Sequence, residues 1–291
     1  MKKWLFRLAA GAFVLLLALW TVAGYVGVEK LLFEWDGPSS REDPAAFEGF
    51  PVEPVTLTTK DGVSISAWHV NAGGDRAVAL FHGIGPDRGQ MSGTAKCYLE
   101  QGVSVLLADL RRHGKSGYAP TYLGLTERFD VCAAVDFLRA RYARVGAHGF
   151  SLGAASVAFA LRERKDFDFV VLASSYDTAR NALYDRLDVV GAPHWLAAPF
   201  ILIAQWRLGV TMEDLRPLEC MPYAAAPTLI LGGDSEQILK KEETEELFRR
   251  CAAAKKRVHI FRGGRHEAIS GDKEEFKTVL TQFLQDALSA G

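Results

Sequence analysis

The sequence predicts an α/β domain in which helices cover both faces of a mostly parallel β-sheet. Short buried runs rich in branched apolar residues alternate with longer segments at helical spacing, and polar residues cluster where the short runs end. With 291 residues, 49% of them apolar and 24% charged, the chain can build one large core. Its net charge of −1 offers no polyanion-binding surface, so we expect no nucleic acid partner.

The N-terminal segment, residues 1–28, differs in character from the rest of the chain. Lys2, Lys3 and Arg7 precede an uncharged run, 8–28. A helix needs ~20 apolar residues to cross the hydrocarbon core of a bilayer, and this run is long enough. Because the basic residues precede the run, we predict a single-pass membrane anchor with the remaining chain on the non-cytoplasmic side. A cleaved signal peptide, with small residues at 21–23, is the alternative, although the run exceeds the ~7–15 apolar residues of such a peptide.

The anchor is followed by a segment rich in proline and glycine, 29–54, which predicts an irregular connector. The domain itself is predicted over 55–291. It begins with a hairpin, because the β-branched runs 55–59 and 63–70 flank the turn dipeptide Asp61-Gly62.

The rest of the domain alternates between strands and helices. Strands are predicted over 77–81, 103–108, 145–150, 169–173, 227–231 and 257–261, and helices over 89–101, 126–142, 152–164, 241–254 and 273–288. One stretch, 175–221, breaks this rhythm with tryptophans, phenylalanine and prolines. It predicts a partly helical insertion above the sheet.

The most specific motif is Gly149-Phe150-Ser151-Leu152-Gly153, a G-x-S-x-G pentapeptide between a predicted strand and a predicted helix. The sharp turn needs glycine on both sides of the serine, and it lifts the hydroxyl clear of the backbone. The helix N-terminus behind it favours developing negative charge. Ser151 is therefore the candidate nucleophile.

A second loop supplies the predicted oxyanion site. His82-Gly83 follows the strand 77–81, and in this architecture one N–H comes from that loop while the other belongs to the residue after the nucleophile. We predict the amides of Ile84 and Leu152 as the two donors. His82 precedes the serine in the chain, so we expect it to shape the loop rather than act as the base.

The base and the acid are expected after the serine in the chain. His266, in the loop that follows the last predicted strand, is the candidate base. Asp234, just past the strand 227–231, is the predicted acid that orients the imidazole, and Glu236 is the alternative. The four cysteines form no C-x-x-C pair and no zinc spacing, so no metal site is predicted.

These segments together resemble the α/β-hydrolase superfamily, and most closely the membrane-anchored serine hydrolases of the BEM46-like group. The resemblance is carried by residues 80–83, 109–116, 149–153 and 264–266, and it covers the chain from Val55 onward. It implies a mostly parallel eight-stranded sheet with a short helical lid insertion. It also implies cleavage of an ester-type acyl bond through an acyl-enzyme, with a small acyl ester or lipid-like substrate and no cofactor.

The chain departs from the family pattern in two places. Arg112 stands where the loop 109–116 usually has a glycine. Members of the superfamily often place the acid three residues after a glycine, and counted from Gly232 this position holds Ser235. Two other functions on the same fold stay open: a peptidase, for which Glu213 and Asp214 could bind a peptide amine, and a non-catalytic, membrane-tethered binding domain.

Overall fold

A computed structural model describes residues 2–34, 47, 49–85, 87–266 and 273–288 of the chain. Its centre is an eight-stranded sheet. The strands are β1 Val52–Thr58, β2 Ser64–Val70, β3 Arg76–Phe81, β4 Ser104–Ala108, β5 Arg144–Phe150, β6 Phe169–Ala173, β7 Thr228–Gly233 and β8 Lys256–Phe261. They lie in the order β1-β2-β4-β3-β5-β6-β7-β8. Only β2 runs antiparallel to its neighbours β1 and β4.

Helices cover both faces of this sheet. The helices of the described residues are α1 Lys2–Val28, α2 Ser92–Leu99, α3 Arg128–Arg139, α4 Leu152–Ala160, α5 Ala179–Val189, α6 Ala198–Leu208, α7 Lys241–Arg250 and α8 Glu274–Leu288. Of these, α2, α3, α4, α7 and α8 pack on the sheet. Shorter helical turns lie at Glu29–Phe33, Arg88–Met91, His194–Ala197 and Pro217–Tyr223. The mostly parallel sheet covered on both faces, which the sequence predicts, is confirmed.

Strand β3 illustrates why the core forms two layers. Its side chains alternate between the faces of the sheet: Phe81 joins the cluster that holds α3, α4 and α7, whereas Val78 and Leu80 join the cluster that holds α2 and α8. Both layers exclude water, so β3 reads in the sequence as a continuous apolar run. Its carboxyl end lies beside that of β5 and therefore brings two loops together.

The segment between β6 and β7 forms the lid, 174–227, with α5 and α6 as its main helices. The end of the segment, from Leu218 to Ala226, contributes to the core layer that holds α3, α4 and α7, whereas α5 and α6 pack in a third apolar cluster. Val28 and Leu32, from the end of the N-terminal helical segment, belong to the same cluster and are fully buried. The lid is therefore tied to that segment as well as to the sheet.

The N-terminal segment contains one helix, Lys3–Phe33, that is long and apolar enough to cross a membrane. It remains helical through Phe33, so the first part of the predicted connector 29–54 is ordered, and Val52–Pro54 already belong to β1. The predicted connector residues 35–46 and 48 lie outside the described part of the chain.

Candidate active site

Ser151 occupies a sharp turn between β5 and α4. Its φ of 52° and ψ of −113° lie in a region that side chains other than glycine rarely adopt. The turn is held because the Ser151 N–H donates to the carbonyl of Ala173 at 2.9 Å and the Ser151 carbonyl accepts from Ala155 at 3.0 Å. The strained backbone directs the hydroxyl away from the sheet at the N-terminus of α4, as the motif predicts.

Two flanking glycines make this turn possible. A Cβ on Gly149 would lie 2.2 Å from the backbone of Gly153, and a Cβ on Gly153 would lie 2.3 Å from the carbonyl oxygen of Phe81. Backbone atoms cannot move aside as a flexible side chain can. No larger residue fits at either position without displacing α4 from the sheet.

His266 reaches Ser151 from the loop after β8. Its Nε2 lies 3.1 Å from the Ser151 Oγ, within hydrogen-bond distance. Its ring packs against Phe150, with the ring centroids 4.9 Å apart. With Nδ1 protonated, Nε2 is free to accept the serine proton, which is what a general base must do.

Glu236, rather than Asp234, orients this imidazole. The Nδ1–H of His266 donates to Oε1 of Glu236, which is only 8% exposed, and the Ser174 hydroxyl donates to Oε2 at 3.3 Å. Asp234 is exposed, and its Oδ1 accepts hydrogen bonds from the Gly263 N–H at 2.6 Å and the Ser235 hydroxyl at 3.0 Å.

The structure therefore does not bring Asp234, the predicted acid, to the imidazole, and the alternative, Glu236, contacts it instead. The physical reason is the end of β7, which continues to Gly233 rather than stopping near 231. Asp234 thus directly follows the carboxyl end of β7, where its side chain accepts a hydrogen bond from the loop that carries His266. The chain needs two more residues to turn back toward the imidazole.

The two predicted oxyanion donors lie next to Ser151, and both residues line the same cavity. The loop after β3 is fixed on either side of Ile84: the Gly83 N–H donates to Gln90 Oε1 at 2.7 Å, and the Gly85 N–H donates to His113 Nε2 at 3.2 Å. Among the hydrogen bonds of the described residues, none is donated by the N–H of Ile84 or Leu152. These two amides are available to a developing oxyanion.

His82 and His113 build the loop rather than the reaction centre. The His82 Nδ1–H donates to the Gly83 carbonyl at 2.6 Å, and its Nε2 accepts from the Leu110 N–H at 3.0 Å. Complete burial lowers the pKa of His82 to about 4. Sequence reasoning did not single out His113, although it stands in the 109–116 motif that carried the family resemblance.

A narrow cavity of about 80 Å³ adjoins Ser151. Its lining is apolar except for Ser151 itself, the hydroxyl of Tyr176 and Arg186, which is the one charged residue among the described residues that line it. The remaining lining residues are Leu31, Ile84, Leu123, Leu152, Ala179, Ala182, Leu183, Phe200 and Leu239. Half of the lining residues belong to the lid, and Leu31 comes from the end of the N-terminal helical segment.

Comparison with known proteins places this arrangement in a wider context. No family model matches the chain. An uncharacterized protein of Mycobacterium tuberculosis is 27% identical over 262 residues, which cover 87% of each chain. An uncharacterized membrane protein of Saccharomyces cerevisiae is 21% identical over 242 residues, 79% of this chain and 78% of the yeast protein.

Solved structures give a sharper result. The esterase Pf2001 of Pyrococcus furiosus superposes with a TM-score of 0.69 and 25% identity, over 81% of this chain and 91% of that chain. An esterase from Exiguobacterium antarcticum superposes with a TM-score of 0.60 and 17% identity, over 80% of this chain and all of its own. The chain has the α/β-hydrolase fold, as its sequence predicts; the narrower resemblance to the BEM46-like group stays a prediction.

Proposed function

We propose that the chain is a membrane-anchored serine hydrolase that cleaves carboxylic esters. The observation that carries the proposal is the hydrogen-bonded series from the Ser151 hydroxyl through His266 to Glu236. Structural neighbours that are described as esterases support the same reaction class. The fold alone does not assign a reaction, because one fold hosts many activities, whereas these three side chains define a nucleophile, a base and an acid.

The proposed reaction has two halves. Ser151 Oγ attacks the acyl carbon while His266 Nε2 takes its proton, and the negative oxygen binds the amides of Leu152 and Ile84. The alcohol then leaves with the proton from His266, which gives an ester of Ser151. Water attacks this acyl-enzyme in the same way, releasing the acid and restoring the serine. Glu236 keeps Nδ1 protonated and stabilises the imidazolium that forms in each half.

The cavity favours an apolar acyl group. Leucine, alanine and phenylalanine side chains form most of its wall, which rewards burial of methylene groups at roughly 0.8 kcal/mol each. Its volume of about 80 Å³ is far below the ~300–1,000 Å³ of ordinary small-molecule sites. A substrate longer than a few carbons therefore requires the lid to shift.

We place the N-terminal helix across a membrane as an uncleaved anchor. Its end is part of the folded domain, since Val28 and Leu32 are fully buried beside the lid. Cleavage near residue 23 would remove Trp20, which donates a hydrogen bond to the Leu196 carbonyl and packs against Trp195 of the lid, and these contacts favour the anchor over a signal peptide. Lys2, Lys3 and Arg7 favour a cytoplasmic N-terminus and a domain on the opposite side.

The described contacts do not favour the peptidase alternative. Glu213 pairs with Arg216 at 2.8 Å, and Asp214 accepts from the N–H and hydroxyl of Thr211 at 2.8 and 2.7 Å. Neither residue is among those that line the cavity beside Ser151. A peptide amine would have to displace these partners, and it would still lie outside the reaction site.

The test is active-site labelling together with turnover. The full chain in detergent should react with a fluorophosphonate probe and hydrolyse p-nitrophenyl esters, and Ser151→Ala should abolish both. Ser235→Ala is the control, because that hydroxyl binds Asp234 and not His266. Equal labelling of Ser151→Ala would refute the nucleophile, and no turnover of esters, thioesters or aminoacyl amides by a correctly folded chain would favour a binding domain.

A further inference from the structure

The lid carries large apolar side chains that the described part of the chain leaves mostly exposed. We call five exposed apolar residues of the lid, Val189, Val190, Trp195, Leu202 and Trp206, the lid face; Val190 is 73% exposed, Leu202 65% and Trp206 76%. Single exposed apolar side chains are ordinary, but two tryptophans with three aliphatic residues on one short insertion mark a contact surface. Leu202 and Trp206 stand four residues apart and so share one side of α6.

This face lies beside the N-terminal helix. The Trp20 Nε1–H donates to the carbonyl of Leu196 at 3.1 Å, and a Cβ on Gly24 would lie 2.9 Å from Pro199. Further along, Glu29 forms an ion pair with Arg207. Residue numbers increase in the same direction along both helices from one contact to the next. α6 therefore runs parallel to the last turns of α1 and to the turn Glu29–Phe33 that follows it.

Because α6 runs parallel to the N-terminal helix, the end of the membrane span on that helix gives the depth of the lid face relative to the bilayer. A helix crosses the hydrocarbon core with ~20 residues, so a span that starts at Trp4 or at Leu8 ends between about residues 23 and 27. The residues of α6 opposite that range include Pro199 and Phe200. Trp20 and Trp195 pack edge to face at 5.5 Å just before it, where tryptophan is enriched in membrane proteins.

We propose that the lid face inserts into the membrane interface beside the anchor, and that lipid is its partner. The inference rests on the anchor assigned under the proposed function. The charged pair of Glu29 and Arg207 follows the contact of Gly24 with Pro199 by about one and a half to two helical turns, which places it in the headgroup region or in water. Leu202 precedes Arg207 by about one and a half helical turns and is thus on the bilayer side of the charged groups, whereas Trp206 lies at their level.

The consequence for the active site is proximity to lipid. Phe200 on α6 packs against Gly27 and also lines the cavity beside Ser151, and Leu31 lines the same cavity. One wall of the cavity therefore belongs to the elements that meet the bilayer. An acyl ester held in the membrane can approach Ser151 between the anchor and the lid without first dissolving in water.

The experiment measures how deeply α6 enters the membrane. Single cysteines replace Leu202 on the lid face, Leu15 in the anchor and, as a control, Tyr223, which is 46% exposed but belongs to the turn Pro217–Tyr223. Each variant also carries Cys132→Ser, because Cys132 is partly exposed whereas the other three native cysteines are buried. A bimane label is attached, and the full chain is reconstituted into phosphatidylcholine vesicles. We expect a nitroxide-bearing lipid to quench the label at 202 several-fold more than at 223, and iodide in the water to do the reverse.

The outcomes separate this inference from the proposed function. If the nitroxide lipid quenches the label at 15, but quenches the label at 202 no more than the label at 223, the anchor is supported and insertion of the lid face is overturned. If the label at 202 is shielded from both quenchers, and this shielding is lost at a low protein-to-lipid ratio, the lid face contacts a second copy of the chain and the proposal is overturned. If lipid does not quench the label at 15, both the anchor and the inference fail, while fluorophosphonate labelling of the same samples reports on Ser151 independently.

Discussion

The turn that carries Ser151 and the lid above it use apolar and small residues in different ways. Around the turn, Gly149 and Gly153 touch backbone atoms, and every residue of α4 is buried. In the lid, Leu183 and Phe200 face the cavity while Leu202 and Trp206 face outward. Close packing allows one residue type at the two glycine positions of the turn, so a sequence motif identifies these residues. An apolar lid residue can line the pocket, pack in the core or contact a partner, so its type alone does not reveal its role.

The largest expected effect concerns the acid beside the turn. Glu236→Gln keeps the size of the side chain but lets it offer an N–H to His266, which disfavours the tautomer that accepts the serine proton. We expect kcat for p-nitrophenyl butyrate to fall by roughly 10³–10⁴-fold, as for comparable triad substitutions.

Asp234→Asn is the matched control, because Asp234 binds the Gly263 N–H rather than the imidazole. It should lower kcat by less than about tenfold, through a looser loop. Steady-state kinetics of both variants decides the assignment. A larger loss for Asp234→Asn than for Glu236→Gln would show that Asp234 carries the role.

The acid also shows where sequence reasoning fails. The predicted strand ended near 231, whereas β7 continues through Gly232 and Gly233. Glycine inside a strand reads as a turn signal, yet here Gly233 is needed because a Cβ would lie 2.1 Å from the Gly264 carbonyl oxygen. Counted from Gly233 instead of Gly232, the family's spacing of three residues leads to Glu236.

Other parts of the site were predictable because their residues have few alternatives. The positions of Ser151 and His266 follow from chain order and from strand ends, which apolar periodicity locates well. The orientation of the lid could not be predicted, since Trp195, Phe200 and Trp206 give the same apolar signal. Which of them lines the cavity depends on contacts with the N-terminal helix, far away in the sequence.

The second effect in size tests the close packing of the turn. Gly153→Ala places a methyl group against the Phe81 carbonyl, and overpacking of this kind costs about 1–3 kcal/mol or more. Thermal unfolding in detergent should show a lower Tm and weaker fluorophosphonate labelling. Gly11→Ala, whose Cβ would meet nothing within 4 Å, should leave both unchanged. An unchanged Tm for Gly153→Ala would contradict the close approach of α4 to β3.

A third prediction concerns pH and the strand that leads to the turn. Complete burial lowers the pKa of His148 to about 3, well below its unfolded value of 6.5. As pH falls, the unfolded chain therefore binds the proton before the folded chain does. The free energy of unfolding is unaffected by His148 above pH 6.5 and decreases as pH falls from 6.5 toward 3. At pH 5 the loss is about 2 kcal/mol from this residue.

His82, with a pKa lowered to about 4, adds a loss of the same sign. Urea unfolding of the full chain at pH 7 and pH 5 measures the total. In His148→Gln the difference between the two pH values should shrink, whatever the variant's stability at pH 7. A difference equal to that of the unmodified chain would mean that His148 is protonated in the folded state.

The smallest effect separates the two sides of the lid. Leu183 lines the cavity, so Leu183→Ala enlarges it and should raise the kcat/KM ratio of octanoate to butyrate p-nitrophenyl esters by about tenfold. Leu202→Ala removes the same atoms from the outer side and should leave that ratio unchanged for esters dissolved in detergent. If both variants shifted the ratio equally, lid stability rather than pocket shape would control it, and the division of the lid into an inner wall and an outer face would fail.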